Sequence, residues 1–278
     1  MTNLPRAALV AGAIVALAGR TPAQAAPASS ADEQAKLEAL QKAAQNPVAK
    51  MVSIPFQLNT SYGGQTQNTL NIQPVYPLTL SKRWNLILRT IIPIVWQPTG
   101  TGDNSYYSGI GSTNVTAFLS PARPGKIIWG VGPTVNLPST SPQLAPSGGS
   151  RDWSAGPAIN VLTMPGHWVI GIIANQTWSF AGPSGYPYWS QFYSQVFIFY
   201  NLKKGWHLTT APIITANWTA GSGDVWTVPV GGGFGRLVKL EGKLPVNINL
   251  SAYGYALKPA GGPSWTMRTQ VAILLPES

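Results

Sequence analysis

The stretch from Trp84 to Trp96 has a tryptophan at each end of one apolar face when it is read with the period of two of a β-strand. The opposite face carries Asn85 and Arg89 among apolar residues. Aromatic rings at both interfaces, with aliphatic side chains between them, are typical of a strand that crosses a membrane in a barrel. The stretch spans roughly 28 Å along the membrane normal at a tilt of about 45°, close to the ~25 Å apolar band of such barrels. We therefore predict a transmembrane β-strand here.

The same pattern recurs along the chain. Trp206 and Trp218 have the spacing of the first pair and bound another alternating stretch, and Trp168 and Trp178 bound a third. Trp265 begins a fourth such stretch. This repetition predicts two aromatic girdles at the membrane interfaces. The predicted girdle residues are Trp84, Trp96, Trp168, Trp178, Trp206, Trp218 and Trp265.

Strand-like runs and turn signals alternate from Met51 to the end of the chain. The runs are separated by connections that are short and long in turn, as in outer-membrane barrels with short periplasmic turns and long extracellular loops. We predict an all-β fold, a single antiparallel transmembrane β-barrel of about twelve strands, with a short N-terminal helix. The predicted strands are 52–62, 67–80, 84–96, 108–120, 126–137, 152–163, 167–180, 190–202, 206–218, 225–239, 243–256 and 264–275.

Composition fits this fold. Charged residues make up 9 % of the chain, against about 25 % in an average soluble domain. Several prolines fall inside predicted strands, where proline removes a ladder hydrogen bond, so we expect them at bulges or rims. The chain has no cysteine, which excludes disulfides and thiolate metal sites. No metal site and no cofactor are predicted. The strand prolines are Pro74, Pro77, Pro93, Pro133, Pro157, Pro212 and Pro229.

The first fifty residues differ from the barrel. Residues 1–25 have the positive start, the apolar core and the small-residue cleavage site of a secretory signal peptide. Residues 26–50 are rich in helix formers and end near Pro47. We predict a short, exposed periplasmic helix; the alternative is a partial plug of the barrel. Residues 51–278 form the predicted outer-membrane barrel.

The chain carries a formal net charge of +10. Its basic residues are scattered singly rather than clustered in a stripe, which argues against nucleic acid as a partner. The predicted partners are outer-membrane lipid and a small-molecule solute, and the sequence leaves the oligomeric state open.

Polar side chains on the inward face are the candidate functional residues. Arg89 and Arg268 fall near the middle of their strands, and cationic side chains at a constriction favour the passage of anions. The alternative is structural, because an arginine in a narrow barrel often pairs with a carboxylate or with carbonyl groups and fills the interior. The predicted lumen-lining residues are Arg89, Arg268, Asn85, Asn217, Asn247, Asn249 and Gln270.

An enzyme is the main alternative. Some outer-membrane barrels modify lipids, and a Ser–His–acid arrangement requires a histidine. His167 and His207 are the histidines of this chain, and we expect both at the periplasmic rim as interface residues. We therefore predict no enzymatic activity. The third alternative is a secreted soluble protein that binds carbohydrate, which the repeated girdle pattern disfavours.

Several sequence motifs occur in an order that resembles a known family. They include Ile54–Gln57, Leu70–Pro77, Trp129–Pro133, Gln176–Gly182 and Thr227–Gly233. Together they resemble the outer-membrane transporters associated with meta-pathway phenol degradation. The resemblance implies an exported barrel that passes small molecules, aromatic ones among them. We therefore predict an outer-membrane channel or transporter for small, aromatic or anionic solutes.

Overall fold

The computed structural model describes residues 30–100, 105–147, 151–183, 188–240 and 244–275. The predicted signal segment, residues 1–25, lies outside these residues. The described chain contains one α-helix and fifteen strand segments in a single sheet. Their bounds are α1 (Ser30–Ala44), β1 (Val52–Tyr62), β2 (Gln67–Ile72), β3 (Val75–Thr79), β4 (Trp84–Pro98), β5 (Tyr106–Ile110), β6 (Thr113–Pro121), β7 (Ile127–Leu137), β8 (Trp153–Thr163), β9 (Trp168–Ala181), β10 (Ser190–Asn201), β11 (Trp206–Thr210), β12 (Ile213–Asn217), β13 (Trp226–Leu240), β14 (Leu244–Leu257) and β15 (Trp265–Leu275).

The sheet closes on itself because its first and last strands pair. β1 and β15 are antiparallel over their full length, from Val52 opposite Leu275 to Tyr62 opposite Trp265. Three crossings are each divided into two segments, namely β2 with β3, β5 with β6, and β11 with β12. The fifteen segments therefore make twelve crossings, and the predicted all-β fold, a closed twelve-stranded antiparallel barrel with a short N-terminal helix, is confirmed.

The connections are sorted by length, as predicted. Those after β3, β6, β8, β10 and β13 are short and gather at one end of the barrel, here called the short-turn end. The connections after β4, β7, β9, β12 and β14 are longer on the whole and gather at the opposite, long-loop end. In bacterial outer-membrane barrels the short turns are periplasmic.

Proline explains two of the divided strands. The crossings that we predicted as the continuous strands 67–80 and 206–218 are interrupted before Pro74 and Pro212, which have no N–H to donate to a ladder. The third interruption, at Gly111 and Ser112, lies opposite Pro93, whose carbonyl oxygen accepts a 2.8 Å bond from the Gly111 N–H. The prediction of unbroken strands is therefore wrong at these three places.

Pro133 and Pro157 lie directly opposite each other in β7 and β8. Neither residue has an N–H to donate. Each of the two strands therefore also loses ladder pairs with its neighbour on the opposite side, β6 for β7 and β9 for β8. The ladder between β6 and β7 skips Ala117 and Phe118, and the ladder between β8 and β9 skips Gly156 and Pro157. This pair of prolines is thus accommodated by two matched interruptions of the wall.

The outer surface carries the tryptophans. Most of the predicted girdle residues are more than one-third exposed, whereas Trp96 is partly buried. Trp153 and Trp226 are also exposed, although the sequence pattern did not single them out. A closed barrel with exposed leucine, isoleucine and valine side chains between aromatic residues is a transmembrane barrel, and it belongs in the bacterial outer membrane. The exposed girdle residues are Trp84, Trp168, Trp178, Trp206, Trp218 and Trp265.

Close approach of the strands at Gly132 gives a stability prediction. A Cβ atom at Gly132 would overlap the backbone carbonyl oxygen of Ala117, whereas a Cβ at Gly254 would meet nothing within 4 Å. We expect Gly132→Ala to lower the free energy of unfolding by about 1–3 kcal/mol, the usual cost of overpacking. Equilibrium denaturation of the protein in lipid vesicles measures the change, with Gly254→Ala as the matched control. Equal stability of the two variants would contradict this interpretation.

Candidate functional site

Apolar side chains fill the lumen near the short-turn end. Ile87, Phe118, Leu162 and Val169 each lie a few residues from a short turn, and all are at most 2 % exposed. They form one cluster with Val48, which belongs to the segment between α1 and β1. The N-terminal segment therefore takes part in the core inside the barrel.

Helix α1 is hydrogen-bonded to the turn between β10 and β11. The Gln41 Nε2 donates to the carbonyl oxygens of Gly205 at 2.6 Å and Trp206 at 3.1 Å. The side-chain amides of Gln45 and Asn201 exchange two bonds of 2.8 and 3.0 Å. Gln41, Gln45 and Asn201 are all buried. These bonds thus join the helix and the residue that follows it, Gln45, to the barrel.

The helix also packs on the barrel wall and pairs with a turn. Leu37 and Leu40 contact a buried cluster that includes Leu237 and Leu274, and Glu38 lies 3.2 Å from His167. These contacts bury one side of the helix that we predicted as exposed, while its opposite side is exposed. The periplasmic location of this segment and the alternative, a partial plug, stay predictions; the segment from α1 to Met51 is called the plug below. The few apolar side chains of α1 are sufficient to hold it against the barrel because the buried glutamines add hydrogen bonds. None of the described helices is long and apolar enough to span a membrane.

A polar cavity of about 610 Å³ occupies the lumen on the long-loop side of this plug. Its volume lies within the usual range for small-molecule sites, roughly 300–1,000 Å³. Amide side chains dominate its wall, and none of its lining residues is a carboxylate. The lining residues are Gln57, Gln67, Thr69, Asn71, Gln73, Arg89, Ile91, Gln191, Tyr193, Gln195, Ile213 and Thr215.

A smaller cavity of about 140 Å³ lies against the plug and is lined by both Arg89 and Arg268. Gln57, Gln73, Arg89 and Gln195 line both this cavity and the larger one. Residues shared by two adjoining cavities lie at their boundary. These four side chains therefore lie at the boundary between the larger cavity and the cavity beside the plug, which is called the narrow point below.

The two arginines are buried beside interrupted strands. The Arg89 Nη2 donates to the Gln73 Oε1 at 2.9 Å, next to the break between β2 and β3. The Arg268 Nη1 donates to the carbonyl oxygen of Ala211 at 2.7 Å, next to the break between β11 and β12. Arg268 also donates to the Asn59 Oδ1 at 2.9 Å. Each guanidinium thus supports the wall and still lines a cavity.

The structure brings together some of the predicted lumen residues. Arg89, Arg268, Asn249 and Gln270 line the cavity beside the plug. Asn85, Asn217 and Asn247 line neither of the two lumen cavities. Of these, Asn85 and Asn247 are buried, and the Asn217 Oδ1 accepts bonds from the backbone and hydroxyl of Thr219.

Sequence reasoning missed the glutamines at the narrow point and Tyr253. The signal was available, because Gln57, Gln73 and Gln195 have the inward parity of their strands. Tyr253 lies with its ring 4.7 Å from the Arg268 guanidinium carbon, and its hydroxyl accepts a bond from the Ala211 N–H at 3.1 Å.

The histidines differ in their surroundings. His167 is exposed at the rim, as predicted, but His207 is buried inside the barrel, which corrects its placement as an interface residue. The His207 Nε2 lies 2.5 Å from the Asn249 Oδ1. No hydroxyl nucleophile is hydrogen-bonded to this ring among the described residues. Nor do these residues contain a cluster of three His, Asp or Glu side chains able to hold a metal ion.

Comparison with known proteins supports the fold. No protein-family model matches this chain, and no curated protein matches it. An outer-membrane channel of Pseudomonas putida F1 has a similar structure, with a TM-score of 0.60, 15 % sequence identity, and coverage of 81 % of this chain and 94 % of that one.

Two further solved structures are more distant. The monoaromatic hydrocarbon channel CymD has a TM-score of 0.45 and 7 % identity, covering 87 % of this chain and 93 % of its own. Outer membrane phospholipase A of Escherichia coli has a TM-score of 0.41 and 13 % identity, covering 85 % and 98 %. The likeness to the Pseudomonas putida channel shows that the chain has the fold of an outer-membrane β-barrel.

The contacts of the plug can be tested by labelling, since the chain has no native cysteine. In a Val48→Cys background, we expect Gln41→Ala with Gln45→Ala to raise the rate of modification by a membrane-impermeant maleimide about tenfold or more. The double variant lacks the side-chain bonds of Gln41 and Gln45, and the Asn201 amide is left buried without a partner. This destabilises the described position of the segment by about 1–3 kcal/mol.

Gln34→Ala is the control, because Gln34 makes one exposed bond to the Lys204 N–H at the other end of the helix. It should leave the labelling rate of Cys at position 48 unchanged. The same rate in all three backgrounds would show that the buried glutamines do not hold the plug.

Proposed function

We propose that this barrel passes small solutes across the outer membrane and prefers anions, including those with an aromatic ring. The observation that carries the proposal is the cavity beside the plug, lined by Arg89 and Arg268 and by no carboxylate. A solute entering from the long-loop end would meet the amide-lined cavity first and the arginines at its floor.

Electrostatics favours an anion at this point. Both arginines are about nine-tenths buried, where charges are screened less than on the surface. Their described partners are an amide oxygen of Gln73, an amide oxygen of Asn59 and a backbone carbonyl oxygen, which leave each positive charge uncompensated. Cationic groups at a constriction lower the barrier for anions and raise it for cations.

Aromatic side chains around the same cavity support a solute with an apolar ring. Phe197, Phe199 and Tyr253 line it together with the arginines. An aromatic ring stacks on such side chains, while a carboxylate or phenolate on the ring accepts hydrogen bonds from a guanidinium. The family resemblance drawn from the sequence is consistent with this choice of solute.

Passage requires that the plug move. Gln41 and Gln45 attach the plug to the short-turn end through buried bonds, which supports the inference that this conformation is closed to solutes. We infer that displacement of the segment from Gln41 to Met51 opens the path to the periplasm.

Ion selectivity is measured by the zero-current potential of the purified protein in a planar bilayer under a salt gradient, in the Gln41→Ala, Gln45→Ala background. We expect anion permeability to exceed cation permeability. Arg89→Gln should lower the permeability ratio about fivefold, since one charge near a passing ion contributes on the order of 1 kcal/mol. Arg89→Lys, which keeps the charge, should retain most of the preference.

Arg268→Gln should act in the same direction, and the double variant should abolish the anion preference. Cation preference in the protein without these substitutions would contradict the proposal. So would the absence of conductance combined with phospholipid hydrolysis that is lost in His207→Ala, since that outcome favours a lipid-modifying enzyme.

A further inference from the structure

Eight exposed basic residues surround the short-turn end of the barrel. The described residues of the short turns include no carboxylate, whereas the described long-loop residues include both Arg151 and Lys258 and the acids Asp152 and Asp224. The two ends thus differ in charge. The basic residues of the short-turn end are Lys82, Arg83, Arg123, Lys126, Lys203, Lys204, Arg236 and Lys239.

These charges are placed beside outward-facing tryptophans. Arg83 precedes Trp84, and Lys203 and Lys204 are followed closely by Trp206. Trp84 and Trp206 are 37 % and 41 % exposed on the outer surface. Tryptophan rings lie at the level of lipid headgroups, so the neighbouring cations lie at the level of the phosphates.

Arg236 is the most informative of these residues because it faces the lipid. It is paired across the sheet with Trp206 on one side and Ile248 on the other, and both of these are exposed on the outer surface. Its guanidinium carbon lies 5.1 Å from the Trp206 ring centre. Its Nε contacts the Lys204 carbonyl oxygen at 3.4 Å. It forms no ion pair within the described ranges.

A charged side chain on the lipid face is costly unless it reaches the interface and finds an anion there. The contacts of Arg236 direct it toward the turn that carries Lys203 and Lys204. The Arg236 guanidinium thus lies beside the Trp206 ring and next to the backbone of the turn that carries two further basic residues, Lys203 and Lys204. Among the acidic residues of α1, Glu38 contacts Lys42 and His167 rather than any of these three side chains.

We propose that the short-turn end binds anionic phospholipid headgroups, with Arg236, Lys203 and Lys204 as the principal phosphate site. The short turns of outer-membrane barrels are periplasmic, and the periplasmic leaflet consists of phospholipid. A guanidinium and two ammonium groups bind a phosphate through charge-assisted hydrogen bonds. The tryptophan supports the glycerol and upper acyl region of the same lipid.

The site adjoins the anchor of the plug. Gln41 donates to the carbonyl oxygens of Gly205 and Trp206 in this turn from the lumen side, and Arg236 contacts the carbonyl oxygen of Lys204 from the lipid side. A bound headgroup therefore holds the turn to which α1 is attached.

The test uses the full protein in detergent with equal amounts of phosphatidylglycerol and phosphatidylethanolamine, and native mass spectrometry to count retained lipids. We expect retention of phosphatidylglycerol to exceed that of phosphatidylethanolamine at least about fivefold, the factor expected per basic residue at an anionic surface. Lys203→Gln with Lys204→Gln should reduce this excess, and adding Arg236→Gln should remove it.

Lys258→Gln, an exposed change at the long-loop end, is the matched control and should retain the excess. Equal retention of both lipids, or an excess that survives the triple variant or is lost in Lys258→Gln, would overturn the proposal. Preferential retention of added lipopolysaccharide through the same three residues would overturn the assignment to phospholipid. Because lipid retention is independent of conductance, failure here is distinguishable from failure of the proposed passage of solutes.

Discussion

Pairing of β1 with β15 is the constraint on which the rest of the molecule depends. In a hydrocarbon environment no backbone group can be left without a partner, so a sheet has to close. Closure with twelve crossings leaves an interior too large to be filled by the inward side chains alone and too small for a wide aqueous pore. The lumen of this chain is occupied by an apolar cluster and the N-terminal segment at one end, and by amide-lined cavities toward the other.

Much of the fold could be predicted from the sequence because a transmembrane strand has to satisfy two periodicities at once. Side chains alternate between lipid and lumen, and aromatic residues recur at the distance between the two interfaces. Trp84 and Trp96, and later Trp206 and Trp218, carry both signals, so the strand positions and the parity of the turns follow from them.

The interrupted strands and the plug could not be predicted in the same way. Pro74 and Pro212 do not disturb the inward and outward alternation of the residues around them. A prediction based on this alternation therefore gives one continuous strand, whereas the missing proline N–H groups divide each strand into two segments. The plug depends on bonds from Gln41 and Gln45 to a turn more than 150 residues away in the chain. Nothing in the local sequence of α1 specifies that turn. Likewise, the sequence alternation indicates that Gln57 and Gln195 face the lumen. It does not indicate that these two residues, from distant strands, lie at the same narrow point.

Arg268 has a consequence for how such a barrel can evolve. Its guanidinium lines the cavity beside the plug, and it also binds the carbonyl oxygen of Ala211 where β11 and β12 separate, with the Tyr253 hydroxyl accepting a bond from the N–H of the same residue. Any substitution that removes the positive charge from this cavity would thereby leave a carbonyl oxygen of the wall without its donor. If the proposed selectivity holds, solute preference and the stability of the wall change together at this position, and an exchange of the arginine is expected to require a compensating change at the strand break.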